Sequence, residues 1–177
     1  MHLFFVKGEV YITEDELTQI ADQFLQKNYG VTLDIPIKRN NRLRTTLGRY
    51  VVSHDDKPLR IEIAGNTLRY GTESSIISIL KHECIHFALH KKGLNYHDGD
   101  STFETELRKH NVPSTYTKII GKYYLFRCKK CQREGKSSVK RLARYPEHYR
   151  TSCCNAQLTI VRELIYDGEN YYSRTID

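Results

Sequence analysis

The sequence predicts an α+β protein, and three observations predict it. A 16-residue amphipathic stretch opens the chain, β-branched and alternating segments follow, and a longer helix carries His82-Glu83-Cys84-Ile85-His86 ahead of short strands around two cysteine pairs. The helical and strand periods alternate along the chain without separating into one class, which is the pattern of mixed architecture. The division expected is a first domain over residues 1–117, with a small sheet and the motif helix. A small basic β module follows over residues 118–177, the change of pattern falling near 115–122.

Over Glu14–Tyr29, Leu17, Ile20, Ala21, Phe24 and Leu25 recur at the intervals of a buried helical stripe. Thr13 and Glu16 have capping-box spacing, and Gly30 stands where a helix would stop. Residues 31–37, 47–53 and 59–64 read as strands, punctuated by Asn40-Asn41 and Asp55-Asp56-Lys57-Pro58. In the last of them Ile61 and Ile63 alternate with charged or small neighbours, as a strand with one solvated face requires. The motif helix is expected over 73–92, free of glycine and proline until Gly93. A short helix follows over about 102–109 and ends near Pro113, and short strands begin at Tyr123.

Composition sets bounds on function. With 39% hydrophobic and 28% charged residues the chain fits an ordinary globular protein and not a disordered one. Apolar runs such as Leu3-Phe4-Phe5-Val6 are far too short to cross a bilayer, so no membrane partner is expected. Residues 1–7 lack the features of a secretory leader, and a cytoplasmic location is the expectation. The net charge of +7 is unevenly spread: residues 118–162 hold 12 Lys and Arg against 2 Asp and Glu, a block of +10 against −3 elsewhere. Such a block attracts phosphate backbones, or it is simply a solvated surface. Lys122, Tyr123, Tyr124, Phe126 and Arg127, then Arg144, Tyr145, Tyr149 and Arg150, interleave cations with aromatics, which makes DNA a possible partner.

The chemistry concentrates in the motif. Four residues apart on a helix, His82 and His86 lie on one face and can share one metal ion. Glu83 is rotated off that axis, where a carboxylate can act as general base on water. The bland alternative is a pair of polar residues on a partly exposed helix, with Glu83 salt-bridged to a lysine. A catalytic zinc takes three protein ligands and an open position. His90 lies two turns, about 12 Å, from His82 and cannot share its ion. His97, brought back by the turn after Gly93, is the expected third ligand, and Glu104 is the runner-up. Cys84 reads as a small buried filler.

Cys128 and Cys131 have zinc-knuckle spacing, whereas Cys153 and Cys154 are adjacent. A second, structural zinc on Cys128, Cys131, Cys153 and Cys154 is the favoured reading. His148 in the fourth position, an empty site, or a free vicinal thiol pair are the alternatives.

Arg42-Leu43-Arg44-Thr45-Thr46-Leu47-Gly48-Arg49-Tyr50, Arg60-Ile61-Glu62-Ile63, and the stretch from Ile76 to Leu107 with its His-Glu motif, Gly93, Tyr96-His97, Asp100 and Phe103 resemble the SprT-like family. That resemblance implies a zincin-like minimal metallopeptidase fold followed by a zinc-ribbon-like module. It implies a zinc metalloprotease related to the Spartan proteases, which act on proteins crosslinked to DNA. His82, His86 and His97 would match the family's zinc ligands and Glu83 its catalytic glutamate. Cys154 would match the second cysteine of the closing knuckle, with Thr151 where the first would stand. There are two departures. One residue more than the bacterial pattern separates His97 from Phe103, and Gly65-Asn66 stands where an asparagine-proline pair is usual. The expected activity is peptide-bond hydrolysis by zinc-activated water on a protein substrate, with Tyr96, His90 and Arg49 as candidate stabilisers of the intermediate. The rival is a non-catalytic, zinc-stabilised module that grips nucleic acid or protein. Oligomeric state is left open by the sequence.

Overall fold

Thr13 starts the first helix as its spacing predicts. In the computed structural model, which describes residues 12–173, its hydroxyl accepts from the Glu16 N–H at 3.2 Å, and Glu16 Oε2 accepts from the Thr13 N–H at 2.8 Å. Helix α1 spans Glu14–Tyr29 and ends on Gly30 at φ +65°, a left-handed turn that glycine adopts without a Cβ penalty. The first residues of the chain, including residues 1–7 on which the expectation about a leader falls, lie outside the described residues.

A three-stranded sheet comes next: β1 (Ile37–Asn40), β2 (Gly48–Val52) and β3 (Pro58–Ala64), in spatial order β1-β3-β2. β1 runs parallel to β3 with Ile37 opposite Ile61, and β2 runs antiparallel with Tyr50 opposite Ile61. The strand expected over 31–37 therefore starts only at Ile37. Pro36 has no N–H for a ladder, though its carbonyl accepts from Ile61 N at 3.0 Å. A short helix, α2 (Gly65–Tyr70), is unforeseen in the sequence. It follows β3 directly and is tied down by buried Thr67, whose hydroxyl donates to the Leu47 carbonyl at 3.2 Å.

The motif helix, α3 (Glu73–Lys91), runs through the middle of the molecule. From His82 to Leu89 every side chain is buried, so it is a core helix and not a surface one. It packs on α1, β2, β3 and α4 (Ser101–Lys109). Four antiparallel strands complete the fold in the order β5-β4-β6-β7: β4 (Gly121–Cys128), β5 (Glu134–Ser137), β6 (Leu158–Tyr166) and β7 (Tyr171–Ser173). A short helix α5 (Lys140–Arg144) and a 3₁₀ turn at Pro146–His148 lie between β5 and β6.

One apolar cluster joins the two halves. Leu17, Phe24, Ile61, Ile79 and Phe87 share it with Ile120, Tyr123, Leu125, Leu164 and Tyr166, on either side of the 117/118 division. The β6–β7 turn also meets the start of α3. The Asp167 carbonyl accepts from Thr72 N at 3.0 Å, and Glu169 Oε1 accepts from Ser74 Oγ at 2.6 Å. Gly168, at φ +103°, fits there because a Cβ would lie 2.2 Å from Ser75 Oγ. Among the described residues no helix is long and apolar enough to cross a membrane.

Candidate metal-dependent active site

Helix geometry sets His82, Glu83 and His86 along one cleft of about 740 Å³, whose walls include Gly48, Tyr50, His97, Asp98 and Tyr116. His82, Glu83 and His86 are 7%, 6% and 8% exposed, which rules out the surface reading of the motif. Phe103 of α4 packs both imidazoles, stacked on His86 at 4.0 Å and edge-on to His82 at 5.2 Å. His82 Nδ1 donates to the Pro113 carbonyl at 3.2 Å, and His86 Nδ1 donates to the Tyr96 carbonyl. Since a carbonyl only accepts, these contacts place a proton on each Nδ1, and both Nε2 atoms turn toward Asp98, with which His82 Nε2 is in hydrogen-bond contact at 3.3 Å. Burial, together with His82, holds His86 down at about 4 against the Tyr96 contact, so it is a neutral imidazole at neutral pH.

Asp98 closes this group. Its Oδ1 lies 3.3 Å from His82 Nε2 and 3.6 Å from His86 Nε2. The sequence-predicted third ligand, His97, is not in the cluster: its ring leans on Tyr96 at 4.3 Å, although it lines the cleft. Glu104, the runner-up, is also elsewhere, its Oε1 accepting from Ser114 Oγ at 2.7 Å and from Gly99 N at 3.3 Å. Asp98 escaped the sequence reading. The signal that could have drawn attention to it is the additional residue between His97 and Phe103, which sets Asp98 one position nearer to Phe103 than His97.

Glu83 is enclosed. Burial pushes its carboxyl up to about 8, opposed by a hydrogen bond from the Tyr50 backbone and reinforced by the Asp98 charge. Neither of those neighbours is a cation, so two imidazoles and two carboxylates gather at one place, with Arg49 and Lys118 elsewhere on the lining of the cleft. That donor set fits a divalent metal, whose charge would stabilise both carboxylates as anions. Gly48 is a second residue the sequence reading passed over: a Cβ there would sit 3.0 Å from Glu83 Oε1 and 2.9 Å from Ile79 Cγ2. The absence of a side chain lets β2 lie directly on the glutamate. Cys84 is fully buried, as its role as core filler requires, and burial raises its thiol far above the ordinary range.

The three residues named as stabilisers all have partners. Tyr96 Oη donates to Asp56, His90 Nδ1 meets Tyr50 Oη at 2.7 Å, and Arg49 Nε donates to Glu62 at 2.7 Å. Tyr96 stacks on His90 at 4.4 Å, so the rim of the cleft is one connected aromatic and hydrogen-bonded wall.

The four tail cysteines do converge. The sulfurs of Cys128, Cys131, Cys153 and Cys154 lie within 4.8 Å of one another, and His148 is not among them. Thr151 donates to Cys128 Sγ at 3.2 Å. Contacts from the Cys131 backbone and from Thr151 bring the Cys128 thiol down to about 6, toward the thiolate that metals bind. Among the described residues two clusters could hold metal, one of imidazole and carboxylate and one of thiols.

Comparison with known proteins decides the family. The SprT-like family model matches residues 14–131, two thirds of the chain and the whole motif helix. The chain belongs to the SprT-like family. Among its relatives, "Protein SprT-like" of Bacillus velezensis is 29% identical over 149 residues, covering 81% of this chain and 95% of that protein. The Bacillus subtilis (strain 168) protein of the same name is 31% identical, with 67% and 78% covered, and one from Bacillus cereus (strain ATCC 14579) is 33% identical with the same coverage. No solved structure matches the chain. Family membership spans α1, the first sheet, the motif helix and the first cysteine pair, so both clusters of this SprT-like chain fall wholly or partly inside the matched segment.

Proposed function

We propose that the protein is a zinc-dependent metallopeptidase of zincin type, with Glu83 as general base and a zinc-ribbon-like module in residues 118–177. The observation that carries this reading is the pairing of Nδ1 contacts on His82 and His86, which turns both Nε2 atoms into one buried space beside Glu83. A structural zinc needs no base, and the adjacent carboxylate would have no task in a binding module. Zinc bound there would supply Lewis acidity, polarising a peptide carbonyl and acidifying water.

His82, His86 and a residue of the 97–98 turn would hold the ion. Glu83, desolvated under β2, would take a proton from water and pass it to the leaving nitrogen. A peptide substrate would enter the cleft of about 740 Å³, and the partly buried Tyr50–His90–Tyr96 wall would line one side of its path. The thiol cluster would hold a second zinc whose role is to brace β4 and the loop before β6.

A DNA-associated substrate is the finer form of this reading. Lys140, Arg141 and Arg144 are exposed on α5 with Tyr145 beside them, 37% exposed, which suits phosphate contact with one stacked base. Tyr123 is buried in the core and Lys122 is paired with Glu163 at 2.8 Å, so neither serves such a contact, whereas Lys129, Lys130, Arg133 and Lys136 are exposed and extend the basic surface beyond α5. The cytoplasm is the compartment this function presumes.

Glu83→Gln tests the proposal. It should abolish cleavage of a denatured protein substrate while zinc content and melting temperature stay at wild-type values. Cleavage at the wild-type rate by the purified variant refutes it and leaves the non-catalytic binding module as the reading.

A further inference from the structure

We infer that Asp98 supplies the third protein ligand, so that the centre holds its ion by two imidazoles and one carboxylate oxygen, not by three imidazoles. The inference rests on the metal-centre reading above and specifies its donor set. Donors about 2.0–2.1 Å from one tetrahedral ion stand roughly 3.3 Å from each other. Asp98 Oδ1 stands 3.3 Å from His82 Nε2 and 3.6 Å from His86 Nε2, which is ligand spacing already in place.

The turn that carries Asp98 is fixed from both ends. The His97 N–H donates to Asp100 Oδ2 at 2.9 Å, and the Asp100 N–H donates to the His97 carbonyl at 3.1 Å. Gly99 takes φ +86° between them, and its N–H is held by Glu104, itself anchored to Ser114. In this closed turn the His97 ring lies on Tyr96 while the Asp98 carboxylate faces the two imidazoles. Glu104 is thereby assigned as a positioning residue, since its carboxylate holds the turn.

The donor set changes the charge of the centre. Three neutral imidazoles leave a divalent ion at +2, whereas Asp98 reduces the site to +1 before Glu83 is counted. Two imidazoles and a carboxylate with an open position remain a zinc donor set, with harder character than three imidazoles.

The test is a zinc count on the full chain after equilibration in a zinc-buffered solution, with His86→Ala as ligand control. Asp98→Ala should lose the same single equivalent as that control, with affinity lowered more than about 100-fold, beyond what loss of an outer partner costs. His97→Ala should keep the equivalent. Retention by Asp98→Ala, or loss by His97→Ala, overturns the assignment. No loss in the His86→Ala control overturns the metal centre itself and the assignment with it. Should Asp98→Ala fail to fold, Asp98→His supplies the measurement. Exchange of oxygen for nitrogen should shift the visible bands of the cobalt-substituted protein relative to wild type, and bands unmoved by that exchange overturn the assignment.

Discussion

Gly48→Ala adds one methyl group at the point where β2 crosses the motif helix, and the structure specifies what it meets. The new Cβ would lie 2.9 Å from Ile79 Cγ2, 3.0 Å from Glu83 Oε1 and 3.2 Å from Glu83 Cγ. Ile79 is 1% exposed and closely packed, so its methyl group, the Glu83 side chain or β2 itself must shift by a few tenths of an ångström. Overpacking of this kind costs about 1–3 kcal/mol. For a chain of this size each kcal/mol lowers the melting temperature by roughly 2–4 °C, so a fall of about 2–12 °C is expected. The effect on turnover should be larger than the effect on stability. A misplacement of about 1 Å can cost ~100-fold in rate, and a few tenths of that displacement at the general base should lower kcat several-fold or more. None of the metal-facing atoms of His82, His86 or Asp98 is touched, so zinc content should not change. Three measurements on one preparation decide the matter: thermal unfolding, bound zinc and peptidase turnover. Wild-type melting and wild-type turnover together would refute the idea that a bare backbone at residue 48 makes room for Glu83.

Two further outcomes are expected. The Glu62 side chain is 7% exposed, and although burial pushes its carboxyl up, hydrogen bonds from Arg60, Asn40 and Arg49 bring it down to about 2. A folded value below the unfolded one stabilises the protein above about 4.5, and that contribution is lost as pH falls toward about 2. Glu62→Gln should therefore flatten the acid limb of the stability–pH curve between those values, and an unchanged acid limb counts against the ion-pair account. Thr151→Val removes the hydroxyl that donates to Cys128 Sγ, so zinc at the thiol cluster should weaken by about 10–100-fold. Chelator competition monitored on the cobalt–thiolate bands reads that cluster alone, and equal affinities in variant and wild type would show that Thr151 plays no part.

Local signals were the legible ones. The Thr13–Glu16 capping box, the Gly30 stop and the bounds of α3 follow from residues a few positions apart, and the structure has them where the sequence points. β1 is different. It pairs parallel with a strand more than twenty residues away, and no property of residues 31–37 announces that Pro36 will end the irregular stretch. α2 is only six residues long and begins with glycine, so neither periodicity nor a cap marks it. At the metal centre the helix period was enough to bring His82, Glu83 and His86 together. The third donor was not legible in the same way, because a turn can present either of two neighbouring side chains and only its closed hydrogen bonds decide which. The adjacent cysteines pose a similar problem: spacing made Cys153 irregular, and three-dimensional convergence with Thr151 as partner accounts for it. Interleaved aromatics and cations were ambiguous for a simpler reason, since the same tyrosine can be core, as Tyr123 is, or surface, as Tyr145 is.

The hairpin turn around Gly168 sits on the first residues of the very helix that carries both imidazoles further along. Anything that grips the tail and pulls on this turn thus tugs at one end of a rigid rod, while the chemistry lies towards the other. The β6–β7 hairpin is thereby moored to the opening turn of α3.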